Sequence, residues 1–224
     1  PPIAAGDTVG RMGLSLLAPL LALAPAGDPI PVAVDPRVEL LSIVFRLAGC
    51  SEFMQEASSS PYADEVQAWF GPLYGHDAVQ RAADLRAQHS IGFNAVPDLA
   101  MHVTPPPELA PRVVLVPHPE RLDRRWQGAD VEGFLTALRA FEQESRFGEF
   151  FAAHAELYAE SARRLQALTE TSGARAWVEG FFSVPAGTGF AAAPGLLQGG
   201  ANYGCSVRLP DGRLELCPAL GVWE

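Results

Sequence analysis

The chain has 224 residues, of which 48% are hydrophobic and 9% aromatic, so it can bury a core of globular size and is not a disordered segment. Its 26 acidic residues outnumber its 16 basic ones and give a formal net charge of -10. Nucleic acid would meet net repulsion, and we therefore expect no nucleic-acid partner.

Residues 1–26 have the order of a signal peptide. Arg11 precedes an apolar run over residues 12–23 that is too short to cross a bilayer comfortably, and Ala24 and Ala26 supply small residues at its end. We therefore expect export to the periplasm or the extracellular space, with cleavage after Ala26. Residues 27–224 would then form a single domain without a stable membrane span. A helix of the mature fold is the alternative interpretation of the run.

The first half of the mature chain has the pattern of helices. Asp35 is a favourable N-cap, Pro36 stands at the first helical position, and Gly49 is placed to end the helix. A short amphipathic helix is predicted over residues 62–70, and a third helix begins near residue 76.

A surface connection follows, which the prolines at residues 105–107 and 111 indicate. The apolar residues 113–116 predict a brief strand within this connection. Apolar residues at spacings of three and four then predict two long helices, over residues 131–141 and 147–168. A shorter helical segment is predicted over residues 176–182.

From residue 187 onward the chain is rich in glycine and strand-like, with strands predicted over residues 189–197, 203–209 and 213–220. Helices first and strands last indicate an α+β fold, in which an N-terminal helical layer is followed by a small, mostly antiparallel C-terminal sheet.

The turn at residues 209–213 contains Pro210, Asp211 and Gly212, and a hairpin centred on Asp211 is its natural register. That register places Cys205 opposite Cys217, within reach of a disulfide. Two unpaired buried thiols are the alternative, and Cys50 has no partner in either case.

No residue of the sequence forms a recognisable catalytic motif. None of the five histidines belongs to a His-Glu-x-x-His motif, and the nearest approach has Tyr158 where a second ligand would stand. His76 is predicted to cap a helix, His89 to end one, and His154 to be a hydrogen-bonded core residue. No Gly-x-Ser-x-Gly is present either. We assign no catalytic residue and no metal ligand.

Several stretches of the chain, in order, resemble one family. They are VDPRVELLSIVFRLAG over residues 34–49, WFGP and HDAV over residues 69–79, FGEFF over residues 147–151, and PGLLQGGANYG over residues 194–204. The family is that of the secreted bacterial proteins catalogued as domain-of-unknown-function family 4932, which resemble zinc metallopeptidases of the gluzincin kind. The resemblance covers essentially the whole mature chain.

In that family the zinc-binding His-Glu-x-x-His helix lies downstream of the Asn-Tyr-Gly strand. The sequence ends at Glu224 before such a motif, so we expect it to be the N-terminal, non-catalytic portion of a peptidase and to be inactive alone. Zinc, a zinc-activated water and a peptide or protein substrate are then implied for the complete protein only.

The resemblance also implies that Asn202, Tyr203 and Gly204 line the substrate cleft, because a strand beside the catalytic helix of such peptidases binds substrate as an added strand. A tight turn entering a core strand is the alternative interpretation of these residues. For the whole chain, the alternative function is a secreted binding or scaffold module without catalytic activity.

Overall fold

The computed structural model describes residues 29–55 and 60–222, so the predicted signal region and its cleavage site lie outside the described residues. The predicted α+β class is confirmed: a helical layer is followed by short strands. The α-helices of the described residues are α1 (Pro36–Leu47), α2 (Pro61–Phe70), α3 (Asp77–His89), α4 (Ala95–Met101), α5 (Val131–Ser145), α6 (Phe147–Ala153), α7 (Ala155–Ser172) and α8 (Ala174–Phe182). Their strands are β1 (Gly189–Phe190), β2 (Ala193–Gly195), β3 (Asn202–Tyr203), β4 (Ser206–Arg208), β5 (Leu214–Leu216) and β6 (Ala219–Gly221).

Helix α1 is the centre of the core. It begins as predicted, because the Asp35 side chain accepts a hydrogen bond from the backbone N–H of Arg37 at 2.8 Å and Pro36 occupies the first turn. Every residue from Pro36 to Phe45 is buried, and α4, α3 and α2 all pack against this helix. The helix ends before Gly49, whose φ of +79° suits glycine.

Two features of the helical layer differ from the prediction. Helix α4 was not predicted, because all seven of its residues are buried and it therefore lacks the amphipathic periodicity that reveals a surface helix. The second long helix is divided into α6 and α7 at His154, where the backbone leaves helical geometry with φ -97° and ψ 12°.

The predicted strand over residues 113–116 is wrong, since these residues are irregular. Val114 and Val116 are exposed, at 71% and 72% of their surface. Pro111 and Pro117 flank the segment and carry no N–H to offer a ladder, so alternation of valines alone does not form a strand there.

The strands form two three-stranded sheets, β1-β5-β4 and β2-β6-β3, and each contains one parallel and one antiparallel pair. The sheet is therefore mixed and not mostly antiparallel. The same antiparallel register joins β3 to β6 and β4 to β5, with Asn202 opposite Leu220 and Arg208 opposite Leu214. Residues 202–208 and 214–220 are thus the two arms of one hairpin, interrupted where Pro218 lacks an N–H.

The turn of this hairpin is the predicted one. Gly212 donates its N–H to the carbonyl of Leu209 at 2.9 Å and has a φ of +86°, the left-handed conformation that glycine adopts most easily. Val207 lies opposite Glu215, which confirms the register centred on Asp211.

Cys205 and Cys217 consequently face each other, and the Cys217 N–H donates to the Cys205 carbonyl at 2.9 Å. Both thiols are free and buried, as is that of Cys50. Burial raises the pKa of the Cys205 thiol to about 12 and that of Cys217 further still. Because the thiolate is the reactive species, burial makes both thiols less reactive in the folded chain.

The disulfide between Cys205 and Cys217 stays a prediction for protein folded in an oxidising compartment. Residues in a hydrogen-bonded antiparallel pair have Cα atoms about 5.5 Å apart, within the range of a disulfide. We expect non-reducing peptide mapping to find the bridged peptide, with Cys205→Ser as control, and the bridge to stabilise the fold by up to about 3 kcal/mol. Alkylation of both cysteines in the unreduced, unfolded protein would contradict this expectation.

Candidate functional site

Strand β3, which contains Asn202 and Tyr203 and is followed by Gly204, lies at the edge of its sheet. Within the described residues it pairs with β6 on one side, and no strand pairs with its other side. The prediction from the resemblance concerned a strand that receives substrate, and such a strand must have one free edge. The observed position meets that requirement.

The backbone groups on the free edge follow from the register. Ala201 accepts from the N–H of Gly221 and Cys205 accepts from Cys217, both at 2.9 Å, so the odd-numbered residues of this arm face the partner strand. In an antiparallel ladder the alternate residues direct their N–H and C=O groups away from that partner. Asn202 and Gly204 therefore present their backbone outward, and both are exposed.

The free edge ends at Ser206. The N–H of Ser206 donates to Oδ1 of Asp98 at 3.3 Å, and Oδ2 of the same carboxyl accepts from the N–H of Asp123 at 2.8 Å. Burial raises the pKa of Asp98 to about 7, although these two backbone N–H groups act in the opposite direction. A side chain that occupies an edge N–H prevents uncontrolled pairing there, so strand addition is limited to the stretch from Asn202 to Gly204.

A network of charged side chains lies behind this edge. Burial raises the pKa of Tyr203, the nearby Glu52 raises it further, and Arg125 lowers it. Arg125 donates to Oδ1 of Asp123 at 2.8 Å and to Oδ1 of Asn94 at 2.5 Å. These bonds hold the loop before α4 against the segment of Asp123, and so fix the surroundings of the edge strand.

A second polar cluster, which sequence reasoning did not find, lies inside the helical layer. The hydroxyl of Tyr62 donates to Oε1 of Glu39 at 2.7 Å and lies 2.7 Å from the hydroxyl of Tyr158. Glu39 is fully buried, and that burial raises its pKa to about 7 against the opposing effects of Tyr62, His154 and the backbone of Leu196. The one available signal was a carboxylate on a helix whose apolar residues predict burial on most of its circumference.

A cleft of about 480 Å³ lies over this cluster, between α2 and the junction of α6 with α7. It is lined by Pro61, Tyr62, Glu65, Ala153, His154, Glu156 and Leu157. His154 is hydrogen-bonded and largely buried against Phe150, as predicted, with ring centroids 4.1 Å apart. Its lining combines apolar side chains with the carboxylates of Glu65 and Glu156.

The other predicted histidine positions are also observed. His76 caps α3, since its Nδ1 accepts from the N–H of Ala78 at 3.1 Å, and His89 is the last residue of that helix. His102, at the end of α4, is fully buried, and burial lowers its pKa to about 4.

Within residues 29–55 and 60–222, no three His, Cys, Asp or Glu side chains come together in a way that could hold a metal ion. The described side chains therefore offer no ready set of ligands for a zinc ion. In the same ranges no helix has both the length and the apolar character needed to cross a bilayer.

Comparison with known proteins returned no match: no protein-family model, no curated protein and no solved structure is similar to the chain. The resemblance set out from the sequence motifs therefore stays a prediction.

We expect Glu39→Gln to change how stability depends on pH. The folded pKa of Glu39, about 7, lies above its ordinary value of 4.5, so this group stabilises the fold below pH 4.5 and that stability is lost as pH rises to 7. The loss is on the order of 3 kcal/mol. Urea unfolding at several pH values should show a flatter pH dependence in the variant, which keeps the hydrogen bond to Tyr62.

Glu132→Gln, at an exposed position of α5, controls for the change in net charge. The prediction fails if Glu39→Gln and the wild type lose stability in parallel between pH 4.5 and pH 8.

Proposed function

We propose that this chain supplies the peptide-binding strand of an exported protein of the zinc-metallopeptidase kind. The observation that supports the proposal is the free edge at Asn202 and Gly204. The backbone N–H and C=O groups of these two residues point away from β6 and can bond to a further strand. A peptide in extended conformation would add there as a further strand, with main-chain hydrogen bonds providing affinity.

Gly204 suits this role because it is exposed. A side chain built at Gly204 would meet no atom within 4 Å, so the face of the strand at this residue is also open. The neighbouring N–H at Ser206 is already bonded to Asp98, so a peptide would be aligned at one end by this carboxyl. The edge therefore selects extended backbone and a fixed register more than it selects particular side chains.

Zinc, when bound by the complete protein, would supply a water activated for peptide hydrolysis. The part proposed for the present residues is to bind and orient the peptide. The second candidate function, a secreted binding or scaffold module, uses the same edge without subsequent chemistry. Measurement of zinc content in the complete gene product separates the two, because only the first requires stoichiometric zinc.

We also propose that the protein is exported, on the basis of the signal-like residues 1–26. Expression of the intact gene in a bacterial host should then yield mature protein that begins at Gly27, and N-terminal sequencing of the secreted or periplasmic product checks this. Recovery of unprocessed cytoplasmic protein would contradict the proposal.

Substitution of Gly204 tests the binding edge. Proline at this position removes the outward N–H without removing a bond to β6, and an edge strand tolerates it. Gly204→Ala keeps the N–H and meets no atom within 4 Å, so it is the matched control. We expect Gly204→Pro to weaken peptide binding about tenfold, the value of one hydrogen bond, and Gly204→Ala to leave it unchanged.

The probe is the pool of tryptic peptides from reduced, carboxymethylated lysozyme, and the measurement is mass spectrometry of peptides retained by each immobilised variant. Circular dichroism verifies that the variants fold. Equal retention by Gly204→Pro and the wild type, or no retention by the wild type, would refute binding at this edge.

A further inference from the structure

His154 lies where α6 gives way to α7, and it joins that junction to α2. Its Nδ1 is 2.8 Å from the carbonyl oxygen of Phe150, and its Nε2 is 2.8 Å from Oε2 of Glu65. The two bonded groups belong to different helices, since Glu65 is on α2 and Phe150 is on α6. Glu65 and His154 both line the cleft, so the His154 ring connects α2 to the α6–α7 junction there.

Both partners of this ring are hydrogen-bond acceptors. A backbone carbonyl has no proton to donate, and the Glu65 side chain, which is 62% exposed, has the solvation that an ionised carboxylate requires. Each bond must therefore take its proton from the imidazole. A neutral imidazole carries one N–H and an imidazolium carries two, so only the charged ring can make both bonds.

We propose that His154 is a pH-dependent clasp between α2 and the α6–α7 junction, which is closed when the ring is an imidazolium and released when the ring loses one proton. The positions of the two acceptors and the place of His154 in the lining of the cleft support this proposal. It does not depend on the peptide-binding function proposed for Asn202 and Gly204.

The bond that breaks is the one to Glu65. The carbonyl of Phe150 belongs to the last turn of α6, where carbonyls lack a partner within the helix, and the ring covers it from solvent. Glu65 is exposed and can exchange the ring for water. Once Nε2 is unprotonated, its lone pair faces a carboxylate, and repulsion moves Glu65 away from the wall formed by His154.

Other titratable groups surround the ring. Tyr62 from α2 meets the ring edge-on at 5.3 Å between centroids, and Tyr158 from α7 lies at 6.0 Å. Glu39 from α1 interacts electrostatically with His154 from behind Tyr62, and Glu156 from α7 lines the same cleft. Both carboxylates are negative when ionised, so each opposes release of the proton.

His76 serves as an internal control, because its hydrogen bond requires the tautomer opposite to that expected for His154. Its Nδ1 accepts a hydrogen bond from the N–H of Ala78, so that nitrogen must be unprotonated while the cap is formed. When neutral, His76 should therefore carry its proton on Nε2, whereas His154 should carry it on Nδ1. The two tautomers have distinct ¹⁵N chemical shifts.

The test is a pH titration of the histidine ring nitrogens by long-range ¹H–¹⁵N NMR in the full chain. We expect His154 to be doubly protonated at low pH and to become the Nδ1–H tautomer, while His76 becomes the Nε2–H tautomer. Glu65→Gln should lose the Nε2 proton of His154 at a lower pH than the wild type, because the variant lacks the charge that attracts the imidazolium.

Amide hydrogen exchange then tests the clasp itself. Protection of α2 amides, corrected for intrinsic exchange, should fall through the His154 titration in the wild type and should be independent of that titration in Glu65→Gln. An Nε2–H tautomer of neutral His154, an unchanged titration in Glu65→Gln, or equal protection profiles in the two proteins would each overturn the proposal.

Discussion

The guanidinium of Arg37 is buried at the point where the first helix, the end of α4 and the sheet meet. It is bonded to the carboxylate of Asp35 at 2.9 Å through Nε and at 2.5 Å through Nη2, and it donates to the carbonyl of Val103 at 3.0 Å. Burial alone would lower the pKa of Arg37, but Asp35 more than offsets that effect. The same Asp35 caps α1, so one carboxylate starts the central helix and neutralises the cation that ties it to residue 103. Removal of either partner would leave an uncompensated buried charge.

The features that were predictable from the sequence are those encoded over a few residues. Asp35, Pro36 and Gly49 delimit α1, and the turn at Asp211 sets a hairpin register that continues over seven residues on each arm. The parallel pairing of β1 with β5 joins Gly189 to Glu215, and no turn chemistry specifies it. It depends on packing of distant segments, which periodicity does not report, and the same is true of the fully buried α4.

The candidate site likewise contains one part that the sequence could predict and one part that it could not. The strand of Asn202 was located from the resemblance, and its free edge follows once the hairpin register is known. The carboxylate of Asp98 that ends this edge is separated from Ser206 by more than one hundred residues. Likewise Glu65 and His154 meet across 89 residues, so neither contact leaves a pattern in the sequence. Polar side chains that meet in this way are found only when the fold has brought their helices together.

The buried acid and the clasp are two parts of one electrostatic system. Positive charge on His154 lowers the pKa of Glu39, and by reciprocity an ionised Glu39 favours the charged ring. A proton removed from Glu39 as pH rises toward 7 therefore stabilises the closed clasp, which delays its release. The backbone N–H of Leu196, in the turn after β2, also faces Glu39 and favours its charged form. Because that turn leads to Asn202, the buried carboxyl of Glu39 interacts both with the residues beneath the cleft and with the turn that precedes the edge strand.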